Sequence, residues 1–478
     1  MKINSLSLIL LTAFFSMVFV SCEKDDADNS DNSYVNNWIY KTMNVYYYWN
    51  NRLPSSPDYS LSPDKFFSSI CYWYDKNTNP NGDRFSWIQD NYLDLLNALN
   101  GISSDEIGFE YTLYYLDENR VNLIGEIEYV KKGTPAEQQK LQRGQYFTEI
   151  NGTPLTVNNY NTLLSNLRGN YTLSVYNGDD SNLTDKKTLS LSTLSTYKEN
   201  PIYLDTVYTV NGKNIGYLVY NFFADDSGDG ICNYDAQLAQ IFTGFKSKNV
   251  SSLILDLRYN SGGSTFAATT LASMLVKNPD TKNIFYKLKY NDLITAELTP
   301  DELNQYFWDK ISPDDSWNKL TSPISLTNIG DNLQNFYILT GMNTASASEL
   351  IINGLKPYMN MTLLGDTTVG KNVASASFYE ENDPKNKWGM QPIIAKMYNK
   401  NDESNYTAGF YPDIVNTDNG WDKKQLGDLN ENMLNEAVSY VAGGLRSSRT
   451  AHKNSLVKVM TSINKKARSN TSIIKKIK

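Results

Sequence analysis

The hydrophobic pattern divides the chain into three stretches. Residues 34–105 are dense in aromatics, as in Trp38-Ile39-Tyr40 and Val45-Tyr46-Tyr47-Tyr48-Trp49, and broken by Pro54, Pro57, Pro63 and Pro80, which predicts a small helical domain. Aromatics at this density could form a sugar-binding platform, but packing in a core or between domains is their commoner fate. Between 106 and 200 short apolar runs bounded by turn residues predict strands at 111–116, 124–130, 146–150 and 171–175. From 201 to 445 strands expected at 215–222, 253–257, 336–339 and 363–364 alternate with helices at 235–246, 265–276 and 346–355. Such alternation predicts an α/β layer structure, whose sites gather at the carboxyl ends of the strands.

Both ends depart from this pattern. Residues 1–22 run from Lys2 through the apolar Leu8-Ile9-Leu10-Leu11 to Val18-Phe19-Val20-Ser21-Cys22 and then turn polar, which reads as a secretory leader. A small residue before a cysteine resembles a bacterial lipoprotein processing site with Cys22 as the lipidated residue. An uncleaved membrane anchor is the weaker reading, because the run is short for a span of ~20 residues. Residues 23–33, acidic and rich in Asn and Ser, predict a flexible tether, and 446–478, with ten Lys/Arg and no acid, a disordered basic tail. The expected location is an exported, lipid-anchored one in the cell envelope, most simply at the outer membrane.

Composition then excludes function classes. A net charge of −8 argues against nucleic acid as a partner. His452, the one histidine, lies in the basic tail, which removes the usual Ser-His-Asp triad and imidazole-based zinc sites. No cofactor or metal is expected. Residues 225–230 hold acids and glycines but lack the downstream glutamate of a calcium loop, and read as a solvated loop. Besides Cys22 there are Cys71 and Cys232, whose pairing is left open.

Three segments place chemistry after expected strands. Leu257-Arg258-Tyr259-Asn260-Ser261-Gly262-Gly263 ends in glycines that let backbone N–H groups face a ligand. Thr344-Ala345-Ser346-Ala347-Ser348-Glu349 sets a hydroxyl at a helix N-terminus, where N–H donors lack helical partners. Gly365-Asp366-Thr367-Thr368-Val369-Gly370-Lys371 presents a lysine, which can act as a base only if burial or a positive neighbour lowers its proton affinity. Each segment alone also fits a helix start, a turn or a surface loop.

Together they resemble the C-terminal processing peptidases, also called tail-specific proteases, over roughly residues 34–445. In that family a Ser-Ala-Ser-Glu run is followed by Gly-Lys at the spacing found between Ser346 and Lys371. The resemblance implies a multidomain α+β protein with a small N-terminal helical domain (34–105), a PDZ-like domain (106–200) and an α/β protease core (201–445) with a ClpP/crotonase-like sheet. Gly133-Thr134-Pro135-Ala136 and Ile150-Asn151-Gly152 resemble PDZ turns, and Ile107-Gly108-Phe109 stands where its carboxylate-binding loop would be. Ser346 is implied as nucleophile, Lys371 as general base, and Gly262 or Gly263 with Ala347 as oxyanion donors. Ser348, Glu349 and Pro412-Asp413 are implied as structural. Ser375 stands where many relatives carry a lysine-orienting glutamine. The implied partners are polypeptide substrates, and a membrane through the lipid anchor. Rival readings are a non-catalytic peptide-binding lipoprotein of the same fold and a glycan-binding surface protein.

Overall fold

The computed structural model describes residues 31–179, 182–228, 233–313, 320–418, 421, 423–443, 457–463 and 471–473. The expected leader, Cys22, and Cys232 lie outside these residues. Helix α1 (Asp31–Tyr46) begins inside the stretch expected to be a tether. It buries Val35, Ile39 and Met43, spaced four apart on one face, against Phe66, Phe67 and Ile70 of α2 (Pro63–Ile70). Helix α3 (Tyr92–Leu99) completes this N-terminal unit. The unit is not purely helical, since Trp87–Gln89 pairs antiparallel with Gly389–Gln391, far along the chain.

A mainly antiparallel sheet follows, built from β1 (Phe109–Tyr115), β2 (Leu123–Val130), β3 (Tyr146–Ile150), β4 (Asn170–Asp179) and β5 (Asn182–Ser192) in that order. Phe109, Leu113, Ile127, Phe147 and Leu173 form its core.

The third region carries two sheets. Strands β6 (Ile202–Val210) and β7 (Lys213–Tyr220) form a hairpin closed by Asn211-Gly212, both at positive φ (50° and 74°), the conformation a two-residue turn requires. Helix α4 (Tyr234–Ser247) then leads to β8 (Ser252–Asp256), buried at every position because parallel neighbours flank it and helices cover it. Next come β9 (Gly262–Ser264), α5 (Thr265–Leu275), β10 (Ile284–Tyr290) and β11 (Asn304–Tyr306). Strand β12 (Asn335–Thr340), helix α6 (Ala347–Leu355), β13 (Thr362–Gly365), β14 (Val373–Ser375) and β15 (Ile393–Tyr398) follow. The region ends with β16 (Ile414–Val415) and α7 (Asn432–Val441).

One sheet runs β6-β7-β8-β12-β13-β16, parallel from β7 onward. On one of its faces Leu238, Leu271, Leu350 and Ile351 of α4, α5 and α6 pack with Leu253 and Leu255; on the other, Ile254, Leu339 and Leu364 meet Met433 and Leu434 of α7. The two interiors are the hydrophobic drive for the layer order.

The tail departs from the expected disorder at two places. Strand β17 (Lys458–Thr461) pairs antiparallel with β1, and β18 (Thr471–Ile473) lies parallel between β9 and β14, giving a second sheet in the order β9-β18-β14-β15-β10-β11. An edge strand offers unpaired N–H and C=O groups to any extended segment, whatever its charge. The expected solvated loop at 225–230 also differs: Asp225 and Ser227 are buried, and Asp225 accepts a hydrogen bond from Ser264.

Candidate active site

The turn after β8 and the start of α6 are laced together. Asn260 Nδ2 donates to Tyr220 O (2.8 Å), Asn260 O accepts from Ser348 Oγ (3.0 Å) and from Ala345 N (3.2 Å), and Thr344 Oγ1 donates to Leu257 O (2.8 Å). Ser348 is thereby tied to the scaffold. Ser346 sits at the N-cap of α6 with φ 61° and ψ −112°, outside the allowed regions of an L-residue. Such strain persists only where the surroundings over-determine it, and it fixes a side chain at a sharp strand-to-helix turn.

Glu349, fully buried, over-determines it. Its Oε2 accepts from Ser346 N (2.8 Å) and from Lys371 N (2.7 Å), while Oε1 accepts from Gly370 N (2.6 Å) and Thr368 Oγ1 (2.6 Å). One carboxylate oxygen thus holds the backbones of Ser346 and Lys371 together. Burial pushes the Glu349 carboxyl above the usual range, and its four donors favour the charged form against it.

Lys371 is wholly buried. Burial lowers its ammonium from the ordinary 10.5 to about 7; the charges of Asp83 and Glu349 oppose that drop, and Arg84 adds to it. Much of this environment comes from the N-terminal unit, which sequence reasoning did not connect to the site. Arg84 Nη2 donates to Gly370 O (2.6 Å) and Thr407 O (3.2 Å), and the Phe85 ring centroid is 5.0 Å from Lys371 Nζ. Asp83 is held by Tyr47 OH (2.8 Å) and by Phe85 N (2.8 Å). No local pattern marks these residues, because the contact joins segments 286 positions apart.

The two glycines of the first segment differ. Gly262 N donates to Asn260 Oδ1 (2.9 Å) and is committed to the turn, so Gly263 is the better placed of the pair to serve a ligand. Gly263 has φ 136°, and a Cβ there would stand 2.1 Å from Phe223 O, so the position requires glycine. Ala347 is the first residue of α6, so the helix itself cannot satisfy its N–H. Ser375 is buried at the end of β14. Asp413 Oδ2 accepts from Leu363 N (2.8 Å), fixing a strand end. Among the described residues no group of His, Cys, Asp and Glu could hold a metal ion, and no helix is long and apolar enough to cross a membrane.

Two stretches of the chain match models of known families. Residues 214–416 match the model of peptidase family S41, and residues 34–87 match that of the peptidase S41 N-terminal domain, together more than half of the chain. The carboxy-terminal processing protease CtpA of Bacillus subtilis is 24% identical over 286 residues, 59% of this chain and 51% of that protein. CtpB of the same organism is 24% identical over 284 residues, 55% and 51% of the two chains. The chain therefore spans about half the length of the curated relatives it matches. The solved structure of a Bacteroides fragilis protein assigned to the S41 proteases superposes with a TM-score of 0.63 and 25% identity, covering 88% of this chain and 99% of that one. It shares this mixed α/β architecture with its N-terminal domain, and the chain belongs to peptidase family S41.

Proposed function

We propose that the chain is a serine endopeptidase that hydrolyses peptide bonds with Ser346 as nucleophile and Lys371 as general base. The observation that carries this reading is the Glu349 bridge, which holds a strained serine at a helix start beside a lysine whose burial lowers it to about 7. Neutral Lys371 takes the proton of Ser346 Oγ as the oxygen attacks the scissile carbonyl. The oxyanion that develops is met by the N–H groups of Gly263 and Ala347. Protonated Lys371 then donates to the leaving amine, and water resolves the acyl-enzyme with the lysine again as base. Ser375 is proposed to orient the amine in place of a glutamine.

The antiparallel sheet of β1 to β5 is proposed as a PDZ-like module that takes extended polypeptide tails by strand addition. Its support is the short helix Pro135–Gln138, N-capped by Thr134, and the loop before β1, where Gly108 N donates to Glu106 Oε1 (2.9 Å). Export and lipidation at Cys22 remain part of the proposal, supported by residues 1–22. Loss of detergent-phase partitioning in Cys22→Ser is the expected sign, and unchanged partitioning would refute it.

Incubating a disordered polypeptide that ends in an apolar C-terminus with the parent and with Ser346→Ala tests the function. The parent cuts, and the variant loses at least ~10³-fold of the rate. Tail binding that is equal in both, with no cutting by either, would instead establish the non-catalytic peptide-binding reading.

A further inference from the structure

The C-terminal segment joins the two places where the proposed function needs a polypeptide. Strand β17 extends the antiparallel sheet at the edge of β1, with Lys458 opposite Tyr114 and Thr461 opposite Thr112. Ser462 seals this contact: its N donates to Tyr111 O (2.9 Å) and its Oγ accepts from Tyr111 N (2.9 Å). The next residue, Ile463, is buried against Tyr129 of β2 and Tyr259, the neighbour of Asn260 in the turn after β8. Farther on, β18 runs parallel to β9 with Thr471, Ser472 and Ile473 opposite Gly262, Gly263 and Ser264, and Ile473 also pairs with Ser375. The segment thus adds a strand to the peptide-binding sheet and another to the strand that carries the oxyanion glycine.

We propose that the edge of β1 and the slot between β9 and β14 are two stations of the substrate track, and that the chain's own strands β17 and β18 occupy them as built-in competitors. The inference rests on the peptidase reading and adds its regulation. A substrate whose scissile carbonyl is to meet Gly263 must enter where β18 pairs, so tail and substrate exclude each other. Strand addition recognises backbone, which suits both an unfolded substrate and a tail without a sequence match. Covalent attachment raises the tail's effective concentration, and its ten Lys/Arg without an acid suit a chain of net charge −8.

The test uses the full chain, Ser472→Pro in the full chain, and a form lacking residues 471–478, each with and without Ser346→Ala. Proline at 472 removes an N–H and disfavours the strand. Two quantities are read: kcat/KM on the disordered polypeptide, and binding of a fluorescent synthetic peptide of residues 457–478 to the Ser346→Ala forms. The proposal expects both altered forms to gain about tenfold in kcat/KM and to bind the peptide at least about tenfold more tightly than the full chain. Unchanged peptide binding overturns it, whether or not the rate moves. If no form cleaves but the altered forms gain peptide binding, the track assignment stands and the peptidase reading falls.

Discussion

Lys371 and Ser346 are each held in a state that costs stability. A lysine whose proton affinity falls from 10.5 to about 7 on folding leaves a proton behind over that window, because the unfolded chain still binds it. Stability therefore rises with pH across the window; the cost is complete below about 7 and fades toward 10.5. Lys371→Met, which keeps the bulk and removes the charge, is expected to stabilise the protein by roughly 1–3 kcal/mol near neutral pH, with the gain shrinking in alkaline buffer. Thermal melts at several pH values check this, and a Met variant less stable than the parent at neutral pH would contradict it. The backbone of Ser346 adds about 1–3 kcal/mol of strain, which the surrounding hydrogen bonds must offset.

Helix α6, the strand pair β8/β12 and the turn that leads from β13 to β14 bring these residues together, and Glu349 is where the elements meet. Glu349→Gln keeps the shape but leaves one acceptor oxygen for four donors and adds an amide that points at N–H groups. The expected result is a 10- to 100-fold fall in kcat with KM little changed, about 1.4–2.7 kcal/mol, since the lost contacts position the reacting groups and touch no substrate. Steady-state kinetics on the variant decides it; an unaltered kcat would remove Glu349 from the positioning role.

Elements of this kind were legible in the sequence where burial is complete. Strand β8 and helices α5 and α6 are continuous apolar or small-residue runs with turn residues at their ends, so their positions follow within a residue or two. Ser346 and Lys371 were legible as a pair only through the resemblance to the C-terminal processing peptidases, since each segment alone also fits a helix start or a surface loop. The hairpin at Asn211-Gly212 and the strands β10 and β15 lie outside the simple alternation of strand and helix, although their own residues carry β-patterns. Strands β17 and β18 were not legible, because they are four- and three-residue segments within a basic tail and pair only where the fold supplies an edge. Asp83, Arg84 and Phe85 were invisible as site residues because only tertiary folding brings them to Lys371.

Across the whole molecule a buried ionic network joins the antiparallel sheet to the core. Arg258 Nη2 and Nη1 reach Asp256 (2.8 Å) and Glu431 (2.7 Å), Arg143 Nη2 reaches Asp418 (2.6 Å), and Lys423 Nζ spans Glu126 (3.0 Å) and Glu128 (2.6 Å). Neighbouring cations hold the Asp418 and Glu431 carboxyls below their usual range, despite burial. Removing one member strands its partners, so Arg258→Met is expected to cost about 3–5 kcal/mol. Denaturant unfolding measures it, and a neutral result would show that the network does not bind the units together. The N-terminal unit and the core meet around Lys371, and whether that lysine works as a base is the central question. The most direct measurement is kcat/KM against pH, from about pH 5 to about pH 10, for the parent and for Lys371→Ala. The account predicts a rate that rises with one ionisation near 7 and levels off above it, and a variant without measurable activity at any pH. A parent whose rate does not change through that range, or a Lys371→Ala enzyme that still cuts, would contradict it.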